Sequence, residues 1–187
     1  MILVMIKGIN GDSAIPGFAK SAAGSYFSVD SFSFGAEREL KDSGKAGTSD
    51  INVGVVELQE VSMSKSFDTA STWLARKAIA GSSCGTAEIK FVQTITDADS
   101  NQQNVVYLHM VLDNVFVKTW SVSGDEDDRP TEELSLWYNK IAFNYYTTKD
   151  GTTFENTGIC SWDSVTQVPW EVGAAKLSTT LETHKAS

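Results

Sequence analysis

The chain has 187 residues, 41% hydrophobic and 21% charged, with only three prolines, which suits one folded domain rather than a disordered linker protein. Fifteen basic residues against 24 acidic ones leave a formal charge of −9, so nucleic acid and anionic membrane surfaces are electrostatically disfavoured partners. The opening run Met1-Ile2-Leu3-Val4-Met5-Ile6 ends at Lys7 with no basic stretch ahead of it, and no apolar run approaches bilayer length; it reads as a first strand, not a signal peptide or a membrane insertion.

Strands are expected at 2–7, 26–34, 53–63, 87–96, 105–113, 115–122 and 133–146, with turn residues between them, which makes the class mainly β and antiparallel. Within 26–34, Phe32 and Phe34 alternate with Ser31 and Ser33, so the phenylalanines face a core and the serines face away. Residues 13–25 and 37–52 read as irregular. The second contains Asp42-Ser43-Gly44-Lys45-Ala46-Gly47-Thr48-Ser49-Asp50, a polar excursion of a length that suits contact with a partner. One helix is expected at 71–80, with Ser71 as N-cap, Gly81 just past its end, Trp73, Leu74 and Ala78 as the buried stripe, and Arg76 and Lys77 near its C-terminal end. In 103–112, Leu108, Met110 and Leu112 share one face while Tyr107, His109 and Val111 share the other; both are partly apolar, so the second face also meets something.

The stretch from Gly124 to Ile141 carries the most information. Apolar positions fall at Leu134, Leu136 and Tyr138 and then at Ile141, Phe143 and Tyr145, a change of parity that one extra residue near Asn139-Lys140 would produce. Pro130 fits the position just before pairing begins, and Glu132, Glu133 and Ser135 are expected on the solvated face. Residues 172–187 carry little apolar periodicity and read as a loosely ordered tail following a domain of 1–171.

No residue pattern assigns a reaction, so the chain reads as a non-enzyme. His109 and His184 stand in no recognisable motif and read as surface imidazoles; Cys84 and Cys160 read as free, buried or half-buried thiols, with no metal-ligand spacing. Asp125-Glu126-Asp127-Asp128 lacks the glycine and distal glutamate of a calcium loop and reads as a solvated turn. Gly44-Lys45-Ala46-Gly47 lacks the rest of a phosphate loop, and no pair of carboxylates is singled out for glycoside chemistry. Catalytic, cofactor and metal sites are therefore all read as none.

Several pieces follow one another along most of the chain: Lys7-Gly8 with Gly11-Asp12-Ser13; Phe27-Ser28-Val29-Asp30-Ser31-Phe32-Ser33-Phe34-Gly35; Val61-Ser62-Met63-Ser64-Lys65 with Asp68-Thr69-Ala70-Ser71; Tyr107-Leu108 through Asp113-Asn114-Val115-Phe116-Val117 to Ser121-Val122-Ser123-Gly124; and Arg129-Pro130-Thr131-Glu132-Glu133. In this order they resemble the Hcp family, the haemolysin-coregulated proteins that build the inner tube of bacterial type VI secretion systems, and the last piece is the strongest single signature. Residues 13–25 depart from the family pattern by lacking its histidine. Trp162-Asp163 is similar to the family's late Trp-Asp element, and the tail after it is too short for an appended domain.

The resemblance implies a compact antiparallel β-barrel of two packed sheets with one flanking α-helix and a long extended loop. It implies homohexameric rings that stack into a secreted tube carrying effector proteins in the lumen. The implied partners are further copies of the chain, effectors, and the tip spike and sheath of the machine. The implied location is the bacterial cytoplasm during assembly and the outside or a target cell afterwards, without a cleaved signal peptide. It also implies that Ser31 and Ser33 line the lumen and that Asp42, Ser43, Gly44, Lys45, Ala46, Gly47, Thr48 and Ser49 contact the next ring. A monomeric β-sandwich that binds carbohydrate through exposed Trp120 and Trp137 is the alternative; a hydrolase ranks third, for want of a histidine constellation.

Overall fold

A computed structural model of the chain describes residues 1–18, 24–42, 51–97, 99–126, 128–173 and 176–186. Its elements are β1 (Ile2–Ile6), β2 (Phe27–Val29), β3 (Ser31–Ser33), β4 (Ala36–Asp42), β5 (Ile51–Leu58), β6 (Val61–Ser66), α1 (Ser71–Ala80), β7 (Gly85–Thr96), β8 (Gln102–Ser123), β9 (Thr131–Trp137), β10 (Lys140–Thr148), β11 (Phe154–Asp163) and β12 (Thr183–Lys185). The mainly β, antiparallel expectation holds. One sheet runs β2-β1-β7-β8-β9-β6-β3, with β10 between β8 and β11 and with β12 on β8; β4 and β5 form a separate hairpin.

The sheet is not a closed barrel. Its path begins at β2 and ends at β3, which are successive pieces of one segment bent at Asp30, so it curls back on itself without a continuous ladder. The Asp30 N–H donates to the Ser64 carbonyl at 2.8 Å at that bend.

β8 is the spine, and the two strands expected at 105–113 and 115–122 are its halves. Asn114 joins them at a φ of 54°, a left-handed conformation that asparagine tolerates. β10 pairs with the first half and β9 with the second, both on the same side. The parity change read near Asn139-Lys140 is real: Leu134, Leu136 and Tyr138 and then Ile141 and Phe143 pack in the main core. It arises from an interruption of the ladder between β9 and β10 rather than from one extra residue in a continuous strand. Tyr145 keeps the parity of Ile141 and Phe143 but is 45% exposed, whereas Tyr146 is buried on the other face of β10, where its hydroxyl donates to the Ser178 carbonyl at 3.2 Å.

The helix lies where the spacing predicts it, but its buried line differs. Ala70, Leu74 and Ala78, spaced four apart, meet the core, which rotates Trp73 out to 38% exposure under the Arg76 guanidinium. Ala70 rather than Ser71 occupies the cap position, and Gly81 closes the helix in the left-handed region at φ 63°.

Residues 36–42, read as largely irregular, pair with residues 51–58, most of which fall in the strand expected at 53–63, to form the β4–β5 hairpin. Leu40, Val53 and Val55 are 63%, 53% and 65% exposed, and β4, exposed along 36–41, shows no buried face that would make it legible. Residues 43–49 of the segment expected to contact another ring lie outside the described residues. Cys84 is buried and Cys160 exposed on β11; both are free thiols.

Where a loosely ordered tail is expected, the structure has a strap. Leu177 is 1% exposed and packs with Val111 and Ala142, and β12 pairs with residues 103–105 of β8. The strap covers the second face of β8, the one whose Val111 and His109 required a cover. A few well-placed contacts hold it, which is why no periodicity announces it.

Candidate functional site

The outward face of β3, β6, β9 and the second half of β8 is built from hydroxyls. Register places Ser33, Ser62, Ser135 and Thr119 in one row across four strands, and Ser31, Ser64, Glu133 and Ser121 in the next. Phe32, Met63, Leu134 and Trp120 form the opposite-parity row on the core side, so the inward apolar row fixes which way the serines point. Ser31 and Ser33 are both exposed on this face, as their alternation with the phenylalanines requires.

These hydroxyls bond mainly to each other. Ser31 and Ser64 lie 2.6 Å apart and Thr119 and Ser135 2.7 Å apart, and Ser135 Oγ donates to Glu60 Oε2 at 2.8 Å. Glu60 is paired with Lys118, and that contact, followed by the Ser135 hydroxyl, holds its carboxyl below its ordinary value. The face forms a groove of about 390 Å³, and Glu133 is the one ionisable residue among the described residues that line it. Among the described residues Glu133 has no side-chain hydrogen bond or ion pair; sequence reasoning marked it only as one residue of a signature.

That signature is divided by the structure. Arg129 is exposed, the Pro130 carbonyl accepts the Phe67 N–H at 2.8 Å, and Thr131 opens β9, so Pro130 does stand just before pairing. Glu132 is not on the solvated face as expected but fully buried, because it shares parity with Leu134 and Leu136. Its charge is tolerated there because Lys65, also fully buried, reaches Glu132 Oε1 at 2.6 Å and Asp68 Oδ1 at 2.7 Å. Ser71 Oγ donates to Glu132 Oε1 at 2.8 Å, and the Trp120 indole N–H donates to Glu132 Oε2 at 2.7 Å. One carboxylate thus ties β9, β6, β8 and the first turn of α1 together.

The strap junction is the other polar cluster. Lys90 Nζ donates to Glu182 Oε1 at 2.9 Å, Asn144 Nδ2 to the Ser178 carbonyl at 2.6 Å, and the Val106 N–H to the Glu182 carbonyl at 3.1 Å. His109 is not a surface imidazole: the strap leaves it 9% exposed, with Nε2 3.7 Å from Glu88 Oε2. His184, half-buried, packs edge-on against Phe18 and lies 2.9 Å from Glu182. Burial acts to raise the Glu88 and Glu182 carboxyls, yet both are held below their ordinary values: Glu88 by His109, Lys90 and Tyr26, and Glu182 by His184 and Lys90.

Depressed carboxyl values contribute stability above the unfolded value, about pH 4.3, that is lost as pH falls through the lower folded value. Hydrogen exchange, corrected for intrinsic rates, should therefore show residues 182–186 and 103–106 losing protection between about pH 5 and pH 3. Protection unchanged across that window would show that these carboxylates do not hold the strap.

Among the described residues no three His, Cys, Asp or Glu side chains are grouped to hold a metal ion, and no helix is long and apolar enough to cross a membrane. Trp120 and Trp137 form no common platform. Trp120 is on the core side beside Leu134, whereas Trp137 is on the outward side, edge-on to Phe116 at 5.9 Å.

A family model described as "Type VI secretion system effector, Hcp" matches residues 4–145, ending inside β10 before β11 and the strap. Among solved structures, one of a type six secretion system protein is similar with a TM-score of 0.74 at 21% identity, covering 90% of this chain and 98% of that one. Hcp1 from Salmonella typhimurium gives 0.64 at 18% identity, covering 90% and 97%. A type VI secretion system effector from Yersinia pestis gives 0.58 at 15%, covering 87% and 99%. At these identities the likeness is one of fold. None of the curated protein sequences matches the chain.

Proposed function

Because the chain belongs to the Hcp family of type VI secretion system proteins, we propose that it is a tube protein, whose copies close into six-membered rings that stack into a secreted conduit for effector proteins. The hydroxyl face carries this reading. A face of short neutral side chains, bonded largely to one another, leaves room beside it and binds passing cargo weakly, as a lining must. Ser31 and Ser33 belong to that lining, and the segment containing residues 42–49 contacts the next ring.

Ring closure needs a head-to-tail contact between different surfaces of one chain. Among the described strands β11 pairs with β10 alone, so its other edge is open, and Ile159 on it is 39% exposed; an open edge of this kind is what a neighbouring copy covers. Effectors occupy the lumen, while spike and sheath proteins meet the ends and outside of the tube. The reading assigns no reaction, cofactor or nucleic acid to the chain. The carbohydrate-binding alternative is disfavoured by its two tryptophans lying on opposite faces.

Light scattering on the purified protein should give six times the 20.3 kDa chain mass. Each copy brings a formal charge of −9, so raising ionic strength from about 20 to 150 mM should increase the ring fraction by screening like charges. A monomer at every salt concentration and at high protein concentration would overturn the reading.

A further inference from the structure

Glu133 differs from the other described charged residues near the hydroxyl face. Glu60 and Lys118 neutralise each other beside it, whereas Glu133 projects from the middle strand, flanked in register by Ser64 on one side and Ser121 on the other. The described lining around it is neutral. An occupant of the groove must displace water from this carboxylate and supplies a replacement only if it brings a donor or a positive charge. A carboxylate brought opposite Glu133 meets repulsion that the uncharged hydroxyls do nothing to offset.

We propose that Glu133 selects for cargo, so that the groove takes polar protein surfaces that present a lysine or arginine to this carboxylate and rejects those that present an acidic side chain. The inference rests on the reading of this face as the cargo surface and adds the chemistry of what it accepts. Hydroxyl rows contribute hydrogen bonds to almost any polar surface, so they discriminate little; the carboxylate discriminates by sign. In a six-membered ring the same carboxylate recurs six times around the conduit, and a basic patch of modest affinity gains from meeting several of them.

Disulfide tethering measures this preference without a known cargo. Ser121→Cys, in a Cys160→Ser background, places a thiol directly across from Glu133. The full-length variant is equilibrated under mild reductant with two short Gly-Ser peptides, each carrying one cysteine and differing only in a neighbouring lysine or glutamate. Exposed charge pairs contribute about 0.2–1 kcal/mol, so the lysine peptide should be captured about 1.4- to 5-fold more than the glutamate peptide. The preference should shrink at high salt, vanish with Glu133→Gln, and persist with Glu126→Gln, an exposed acidic residue outside the groove.

Equal capture of both peptides, or a lysine preference that survives Glu133→Gln, would overturn the inference. Failure of the underlying reading gives a different signature. In assembled rings of the Ser121→Cys variant, the introduced thiol should resist a maleimide carrying a bulky polymer and react once the rings are dissociated. Equal reactivity in both states would put the face outside the conduit, whatever charge the tether prefers.

Discussion

Glu132→Ala is expected to remove about 3–5 kcal/mol of stability, the usual result of stripping one partner from a buried ion pair. Lys65 would be left fully buried, with its remaining partners being Asp68 at 2.7 Å, the Ser66 carbonyl at 2.9 Å and the Ser71 hydroxyl at 3.3 Å. The Trp120 indole and the Ser71 hydroxyl would each lose an acceptor. For a chain of this length the melting temperature should fall by roughly 6–20 °C. Replacing both partners by apolar residues of similar volume, Lys65→Met with Glu132→Leu, should recover much of the loss, because the desolvation cost of two charges disappears with them. Thermal unfolding of the three proteins is the test. A single variant within about 1 kcal/mol of the parent would mean that Lys65 finds water when Glu132 is removed, and that the pair does not anchor the helix.

Truncation after Gly173 should have the second largest effect. It removes Leu177 from its place against Val111 and Ala142, along with the Lys90–Glu182 ion pair, the Asn144 bond to Ser178, and β12 from the edge of β8. Burying one leucine contributes about 2 kcal/mol, and the polar contacts add modestly, since Lys90 and Asn144 become hydrated once uncovered. A loss of about 3 kcal/mol and 6–12 °C in melting temperature is expected, with greater binding of hydrophobic dyes at the bared face of β8. The family match ends before this segment, so ring formation is expected to survive the truncation at low temperature. A truncated protein that melts like the parent would show the strap to be an accessory held at no net gain.

Tyr26 illustrates how far the strap's influence reaches. Burial, followed by the nearby Glu88 carboxylate to which its hydroxyl donates at 2.9 Å, drives its ionisation well above the ordinary tyrosine range, so it is a neutral donor at physiological pH. With Lys90 over its ring at 5.2 Å, it forms part of the support on which Glu182 docks.

Much of the fold was legible because the main sheet has one strongly apolar side. Phe32 and Phe34 against Ser31 and Ser33, and Leu134 and Leu136 against Glu133 and Ser135, are alternations that period-two geometry converts directly into faces. The helix was equally plain over 71–80, up to the left-handed Gly81, although its N-cap is Ala70 and not Ser71 as read. Hidden elements share one property, the lack of a continuous buried face. β4 is exposed along 36–41, β11 is polar and at an edge, and β12 is three residues long. Of the candidate site, the outward direction of Ser31 and Ser33 followed from alternation, whereas the rows they form with Ser62, Ser64, Ser121 and Ser135 depend on registers between strands far apart in sequence.

By itself, then, the sequence determined the class of the fold, the position of its helix, the parity change between Tyr138 and Ile141, and, through the ordered motifs ending at Arg129-Pro130-Thr131-Glu132-Glu133, the family. Local alternation and local capping carry the first three, a resemblance of ordered motifs carries the fourth, and none of these needs a partner strand to be read. Tertiary structure alone decided the different fates of Glu132 and Glu133. Adjacent and chemically alike, they point to opposite faces of β9; one is buried against Lys65 from β6, and the other is left among hydroxyls with no described partner. A carboxylate can be buried only where an opposite charge is brought to it, and which lysine arrives is a matter of long-range strand pairing that no short window of sequence contains.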